Sequence, residues 1–248
     1  MRSVGLKHMT EEQRLQRASA FLSDVTAVIQ PQAAAEKSDV NELSSTSLKV
    51  LIKAALELGI WLVGMYRTLG LHPAEGKQAV DDLLARGLVR IHRLVRKGRG
   101  GQPQVLELLP RGVAELEKRG ISPAEKKVKR GGFKHDVYSR HIEKWARANG
   151  YRQVWFERTL GVKAFDLVLE REDGELIGVE VCLTGLAKWN ASMAIKGASV
   201  TGISLVIVAC EDRQLMKGIE HELAEQDGLG LFRKKIVLRH LSEYMTEE

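Results

Sequence analysis

Cysteine is scarce in this sequence, and long apolar runs are missing from it. Two cysteines among 248 residues are too few for a disulfide framework or a cysteine-based zinc site. No apolar run reaches the roughly 18 residues that a membrane-spanning helix needs, and the first residues lack the apolar stretch of a signal peptide. We therefore expect a protein of the cytoplasm, where thiols stay reduced.

Motifs that mark several common enzyme classes are also missing. The sequence contains neither G-x-x-x-x-G-K-[ST] nor G-x-G-x-x-G, so nothing in it indicates ATP hydrolysis or dinucleotide binding. It has no G-x-S-x-G elbow of a serine hydrolase, and its seven histidines show no zinc spacing.

Positive charge is concentrated in the middle third of the chain. The formal net charge is +6, yet residues 43–134 carry 18 basic and 8 acidic side chains, whereas residues 135–248 carry 15 basic and 18 acidic ones. A basic block within an otherwise balanced chain favours a polyanionic partner, most simply nucleic acid. The alternative is a soluble basic domain without such a partner.

Residues 1–42 are predicted to form a helix and a linker. Thr10 and Gln13 have the spacing of a capping box, and apolar side chains recur at helical spacing until Pro31 ends the helix. The polar segment that follows is typical of a linker. The isolated helix must pack against its own chain or pair with a second copy, and both arrangements remain open.

Residues 43–120 have the pattern of short helices followed by a β-hairpin. Helical spacing predicts helices over about 47–58 and 62–69, and a third from Pro73, which suits the first turn of a helix. Two strands, at about 88–95 and 105–109, flank the glycine-rich basic turn KGRGGQP, and a last helix opens at Pro110. This α+β pattern resembles the winged helix-turn-helix domain of bacterial regulators.

The resemblance implies that the third helix enters the major groove of DNA and that the wing contacts phosphate. Winged helices also serve as protein-binding modules, which is the alternative. A basic linker over 121–134 would add electrostatic contacts to phosphate, or would act only as a solvated tether. The implied DNA-binding residues are Lys77 and Gln78, with Glu75 and Asp81 beside them on the third helix, Arg93, Arg96, Lys97 and Arg99 on the wing, and Lys127, Lys129 and Arg130 in the linker.

Residues 135–248 change to an α/β pattern. A helix that begins at about His135 precedes strands at about 153–158, 164–171 and 175–183, followed by a helix and the apolar strand 203–209. A continuous apolar run of that kind is typical of a strand that is buried on both faces. We therefore expect a mixed central sheet flanked by helices.

The hairpin between the second and third of these strands can be registered from the sequence. A three-residue loop with Gly174 in the left-handed conformation sets Leu167 against Val179, so that apolar side chains share one face. Asp166 then falls opposite Glu180, whereas a two-residue turn would mix the two faces. Two carboxylates across a sheet repel each other, so a proton, a basic side chain or a divalent cation must offset their charge.

Over about 135–209 this pattern resembles the PD-(D/E)XK nuclease superfamily, whose fold is called restriction-endonuclease-like. The resemblance implies that Asp166 and Glu180 hold Mg²⁺ or Mn²⁺, and that Cys182 occupies the family's lysine position. A lysine from a neighbouring element would have to replace it, because a thiol neither orients water nor stabilises transition-state charge well. The candidates for that lysine are, in order, Lys188, Lys163 and Lys196, and the candidate assisting residues are Glu157 on the preceding strand and His135 and Glu143 on the first helix.

These features predict a DNA-binding protein whose metal-dependent nuclease domain hydrolyses phosphodiester bonds in DNA. The pairing of the two domains is similar to that in proteins of mobile elements and defence systems. The alternative is a catalytically inactive nuclease fold that serves as a DNA-binding, scaffolding or transcription-regulating protein. Either function allows a homodimer or a larger nucleoprotein assembly.

Overall fold

The structure is a computed structural model that describes residues 42–98, 101–125 and 131–245. The predicted N-terminal helix lies outside these residues. The same holds for four of the predicted DNA-binding residues: Arg99, Lys127, Lys129 and Arg130. No helix in the described part of the chain is long and apolar enough to cross a membrane.

The described chain divides into two compact units. The first takes in the residues up to Arg90 together with Leu106–Ala124, and the second takes in Ile91–Val105 and the residues from Glu125 onward. The second unit therefore includes the tip of the hairpin that the sequence pattern assigned to the winged helix.

Short helices make up most of the first unit: α1 (Ser45–Leu56), α2 (Leu62–Thr68), α3 (Pro73–Ala85) and α4 (Pro110–Glu117). Local capping fixes where they begin. The side chain of Ser44 accepts a hydrogen bond from the backbone N–H of Ser47 at the start of α1. A capping box formed by His72 and Glu75 starts α3, with Pro73 at its first position.

The helices of the first unit bury a shared apolar core. Its fully buried side chains come from all four helices, and a fully buried Leu or Met contributes roughly 1.5–3 kcal/mol to the free energy of unfolding. They include Val50, Leu51, Met65, Leu83 and Leu116.

Two strands, β1 (Val89–Arg93) and β2 (Gln104–Leu108), form a two-stranded sheet between α3 and α4. The order of three helices, a hairpin and a further helix is that of a winged helix-turn-helix. It confirms the helices and the wing hairpin that the sequence predicted.

The second unit combines helices with a mixed sheet. Its main sheet contains β3 (Gln153–Phe156), β6 (Leu167–Glu170), β7 (Leu176–Cys182), β8 (Ile203–Cys210) and β9 (Ile236–His240), in that spatial order. The pairs from β3 to β7 are antiparallel, whereas β7, β8 and β9 run parallel. The helices are α5 (Phe133–Ala148), α6 (Ala187–Ala198) and α7 (Arg213–Gln226). The predicted order of helix, three strands, helix and buried strand is confirmed.

Two of the predicted strands were wrong in extent. The strand predicted over 153–158 ends at Phe156, because Glu157 takes a left-handed conformation with φ 47°. The strand predicted over 164–171 is divided, because β5 (Lys163–Ala164) pairs with β4 (Thr159–Leu160) in a separate small hairpin. Asp166 lies between this hairpin and the main sheet.

The predicted register of the hairpin between β6 and β7 is confirmed. Leu167 pairs with Val179, and the backbone N–H of Arg171 donates to the carbonyl of Glu175 at 3.0 Å. Gly174 has φ 85°, the left-handed conformation that closes the three-residue loop. This register sets the level of Asp166 against that of Glu180.

Phe165 anchors the chain just before Asp166. Its side chain is buried, and a β-carbon built on Gly178 of β7 would lie only 2.3 Å from its ring, while one on Gly197 of α6 would lie 2.9 Å from it. Glycine at these two positions therefore provides the space that the ring fills between the sheet and α6.

Replacing the closer of these glycines should destabilise the second unit. In Gly178→Ala the new methyl group overlaps the Phe165 ring, so we expect the free energy of unfolding to fall by about 1–3 kcal/mol, measured by chemical denaturation. Gly228→Ala is the control, because a β-carbon there meets nothing within 4 Å. Equal losses in the two variants would refute this account of the packing.

Candidate carboxylate site and nucleic-acid interface

Asp166 and Glu180, called the acidic pair below, lie on neighbouring chain segments of the second unit. Glu180 is in β7 and Asp166 immediately precedes β6. The backbone N–H of Val181 donates to Oδ2 of Asp166 at 2.8 Å. On the other side, the backbone N–H of Glu157 donates to the carbonyl of Asp166 at 2.8 Å. These bonds fix Asp166 at the point where the β3, β6 and β7 segments meet.

Each carboxylate of the acidic pair has its own basic partner. Nζ of Lys163 lies 2.7 Å from Oε1 of Glu180, and Nε2 of His135 lies 3.2 Å from Oδ2 of Asp166. Lys163 comes from β5, which pairs with β4 and not with the main sheet, and its side chain is buried. The repulsion between the carboxylates is therefore offset by basic side chains, one of the possibilities that the sequence left open.

The environment of the acidic pair raises the pKa values of Glu180 and His135. Burial, followed by the charge of Asp166, raises the pKa of Glu180 to about 7, and the charges of Lys163 and His135 only partly oppose this rise. Burial lowers the pKa of His135, but the hydrogen bond and charge of Asp166, together with the charges of Glu180 and Asp136, outweigh it, so the net shift is upward. Both shifts favour the protonated forms of Glu180 and His135.

Cys182 occupies a buried position beside the acidic pair. It is in register with Cys210 on the parallel strand β8, and both thiols are free. The neighbouring Cys210 thiol and burial together raise the pKa of Cys182, so this side chain stays neutral and supplies no positive charge to the site.

The other residues predicted for this site are placed differently. Lys188 and Lys196 are exposed on α6, and the carbonyl of Lys188 accepts a hydrogen bond from the Gln226 side chain. Glu143 on α5 is paired with Arg147, whose Nη2 lies 2.9 Å away. Of the three predicted lysines, Lys163 is therefore the one that the structure brings to the acidic pair.

Within the described ranges, no group of three or more His, Cys, Asp or Glu side chains is arranged to hold a metal ion. The acidic pair offers two carboxylates. Mg²⁺ is commonly bound by one or two carboxylates together with water and substrate phosphate, so the pair fits such an ion as a partial set of ligands.

The predicted DNA-binding residues that fall within the described ranges lie on both units. Lys77 and Gln78, with Glu75 and Asp81, are exposed on α3 of the first unit. On the hairpin tip of the second unit Arg93 and Lys97 are exposed, and Arg96 is half-buried.

Sequence reasoning missed a polar cluster that joins α5 to the residue after β8. Tyr138 is a buried residue of α5, and its hydroxyl donates to Oε1 of Glu211 at 2.7 Å. Glu211 follows β8 directly and also pairs with Lys134. Nothing in the local sequence signals these contacts, because Tyr138 and Glu211 are 73 positions apart.

Asp166→Asn should lower the pKa of His135, because it removes the largest of the charges that raise this pKa while burial still lowers it. NMR titration of the histidine side chains would measure the change, with the exposed His221 as internal reference. The raised pKa of His135 adds stability while the imidazole is protonated, and this stability is lost as pH rises through the folded-state pKa. Asp166→Asn should therefore reduce the melting temperature more at about pH 5.5 than at about pH 8.5. An unchanged His135 titration would contradict the pairing.

Comparison with known proteins gives limited similarity. No family model and no curated protein sequence matches the chain. Among solved structures, the PcaV transcriptional regulator from Streptomyces coelicolor aligns at 18% identity and a TM-score of 0.28, over 46% of this chain and 74% of that chain. A zinc-responsive MarR family member, Lactococcus lactis ZitR, aligns at 16% identity and a TM-score of 0.30, over 55% of this chain and 83% of that chain. At these values the winged-helix assignment rests on the order of elements in the described chain.

Proposed function

We propose that the chain is a DNA-binding protein in which the winged helix-turn-helix carries the binding surface. The observation that carries this proposal is the order of α1, α2, α3, the β1–β2 hairpin and α4, with exposed polar residues on α3 and exposed basic residues on the hairpin tip. In this architecture the third helix enters the major groove and the wing contacts phosphate.

Charge supports nucleic acid as the partner. The excess of basic residues over acidic ones between 43 and 134 provides electrostatic attraction to a polyanion, and such attraction weakens as salt rises. Lys77 and Gln78 occupy the first half of α3, the part of a recognition helix that reaches base edges. A protein with this surface can regulate transcription or position other proteins on DNA.

Substitution of the exposed basic residues should weaken DNA binding in a salt-dependent way. Lys77→Ala and Arg93→Ala should each lower the affinity for duplex DNA and reduce the slope of log affinity against log salt by about 1, if each contacts one phosphate. Fluorescence anisotropy between about 50 and 200 mM salt would measure both quantities.

Lys118→Ala is the matched control for this test. Lys118 is an exposed lysine that directly follows α4, and its Nζ lies 3.5 Å from Oε2 of Glu115. Its removal should leave the salt slope unchanged. Failure of the wild-type protein to bind duplex DNA even at low salt would refute the proposal.

We propose phosphodiester hydrolysis as a second candidate function, which the contact between Lys163 and Glu180 favours. In the PD-(D/E)XK pattern a lysine stands near the second acidic residue, and Cys182 cannot supply it. Lys163 brings an ammonium group to 2.7 Å from Glu180 from a different strand. An ammonium group at that place can orient an attacking water and stabilise the charge that develops on a phosphate.

The acidic pair would hold Mg²⁺ or Mn²⁺ in this second candidate. When bound, such an ion lowers the pKa of a coordinated water and stabilises the charge on the phosphate. Asp166 would bind such an ion through Oδ1, since Nε2 of His135 lies 3.2 Å from Oδ2 and the N–H of Val181 donates to Oδ2 as well. Glu180 would bind in its deprotonated form, which its raised pKa makes less abundant below neutral pH.

Nuclease activity, if present, should depend on Lys163 more than on Lys188. We expect Asp166→Ala and Lys163→Ala each to reduce cleavage of plasmid or single-stranded DNA with Mn²⁺ by about 10²–10³-fold. Lys188→Ala, which removes an exposed lysine of α6, should stay near the wild-type rate. The opposite pattern would assign the role to Lys188. Intact DNA after incubation with wild type would eliminate hydrolysis and leave the DNA-binding proposal standing.

A further inference from the structure

The hairpin tip is bonded to α5 within the second unit. This wing-tip segment, Ile91–Val105, belongs to that unit. The hydroxyl of Tyr138 on α5 accepts a hydrogen bond from the backbone N–H of Val95 at 2.9 Å and donates to Oε1 of Glu211 at 2.7 Å. The Tyr138 ring is fully buried. A single hydroxyl therefore joins the wing-tip segment, α5 and the end of β8.

Apolar contacts support the same junction. The ring of His92 lies 5.0 Å from that of Phe133, which begins α5. Leu94 is fully buried, and its backbone N–H donates to the carbonyl of Pro103 at 2.9 Å. Arg93 and Lys97, by contrast, are exposed. The described part of the wing-tip segment is thus fixed by its inner residues, while Arg93 and Lys97 face solvent.

The first turn of α5 also connects this junction to the acidic pair. Three consecutive residues make the contacts: Phe133 with the ring of His92, Lys134 with Glu211, and His135 with Asp166. Because consecutive residues of a helix rise by only about 1.5 Å each, one turn of α5 contacts both the wing-tip segment and the acidic pair.

We propose that Tyr138 is a positioning residue that holds the wing-tip segment in the conformation that binds DNA phosphate, on the same body as the acidic pair. This inference rests on the proposed DNA-binding function. Without the hydroxyl, the N–H of Val95 loses its acceptor in a partly buried place, and loss of a hydrogen bond there weakens the hold on the wing-tip segment. The wing-tip segment would then lose conformational freedom each time it binds DNA, and this loss would weaken binding.

A double-mutant cycle separates positioning from stability. Tyr138→Phe removes only the hydroxyl and should weaken duplex binding by roughly fivefold to tenfold. Lys97→Ala should cost less affinity in the Tyr138→Phe background than in wild type, because the wing-tip segment already contributes less. Lys77→Ala, on α3 of the first unit, should cost the same in both backgrounds.

Two further variants control for folding. Tyr244→Phe alters another buried tyrosine of the second unit, one whose ring packs edge-on against Trp145 at 4.9 Å, and it should not change the cost of Lys97→Ala. Glu211→Gln keeps an acceptor for the Tyr138 hydroxyl and should preserve DNA binding better than Tyr138→Phe does. Hydrogen exchange of the Val95 amide should accelerate in Tyr138→Phe alone.

The outcomes are distinct. Non-additivity of Tyr138→Phe with Lys97→Ala, together with additivity with Lys77→Ala, supports positioning. Additivity in both cycles, with wild type still binding DNA, overturns positioning and leaves DNA binding intact. Absence of duplex binding by wild type overturns both.

Discussion

The pairing of β6 with β7 is the constraint on which the second unit depends. It brings Asp166 and Glu180 to the same level of the sheet, where the two carboxylates have little access to solvent. Lys163, His135 and the Val181 N–H group then provide the positive charge and hydrogen bonds that make this tolerable. The separate β4–β5 hairpin and the first turn of α5 can be understood as the elements that deliver Lys163 and His135.

How far the sequence predicts this arrangement differs from residue to residue. The register of β6 and β7 follows from alternation and from Gly174, because both signals lie within a few residues of the turn. The position of Lys163 does not follow, since alternation alone runs one strand through residues 164–171 and cannot show that it divides. Lys188 stands at the start of the next helix in sequence, but the helix leaves it in solvent.

Contacts between distant parts of the chain were the least predictable. Tyr138 fits the apolar face of α5, and nothing local distinguishes a tyrosine that only fills space from one that bonds to Val95, 43 positions earlier. The hairpin itself was predictable from its glycine-rich turn. That its tip belongs to the second unit was not, because this depends on tertiary packing. The wing-tip segment and the acidic pair therefore belong to the same unit of the described chain.

The register of Cys182 with Cys210 limits which side chains position 182 can carry. A lysine at position 182 would share its strand level with a buried thiol on β8 and would bring a second ammonium group toward Glu180, which already has that of Lys163. Two cations beside one partly protonated carboxylate would repel each other. A lysine at position 182 is therefore compatible with this site only if the charge of Lys163 is removed, so the residues at these two positions, on β7 and β5, depend on each other.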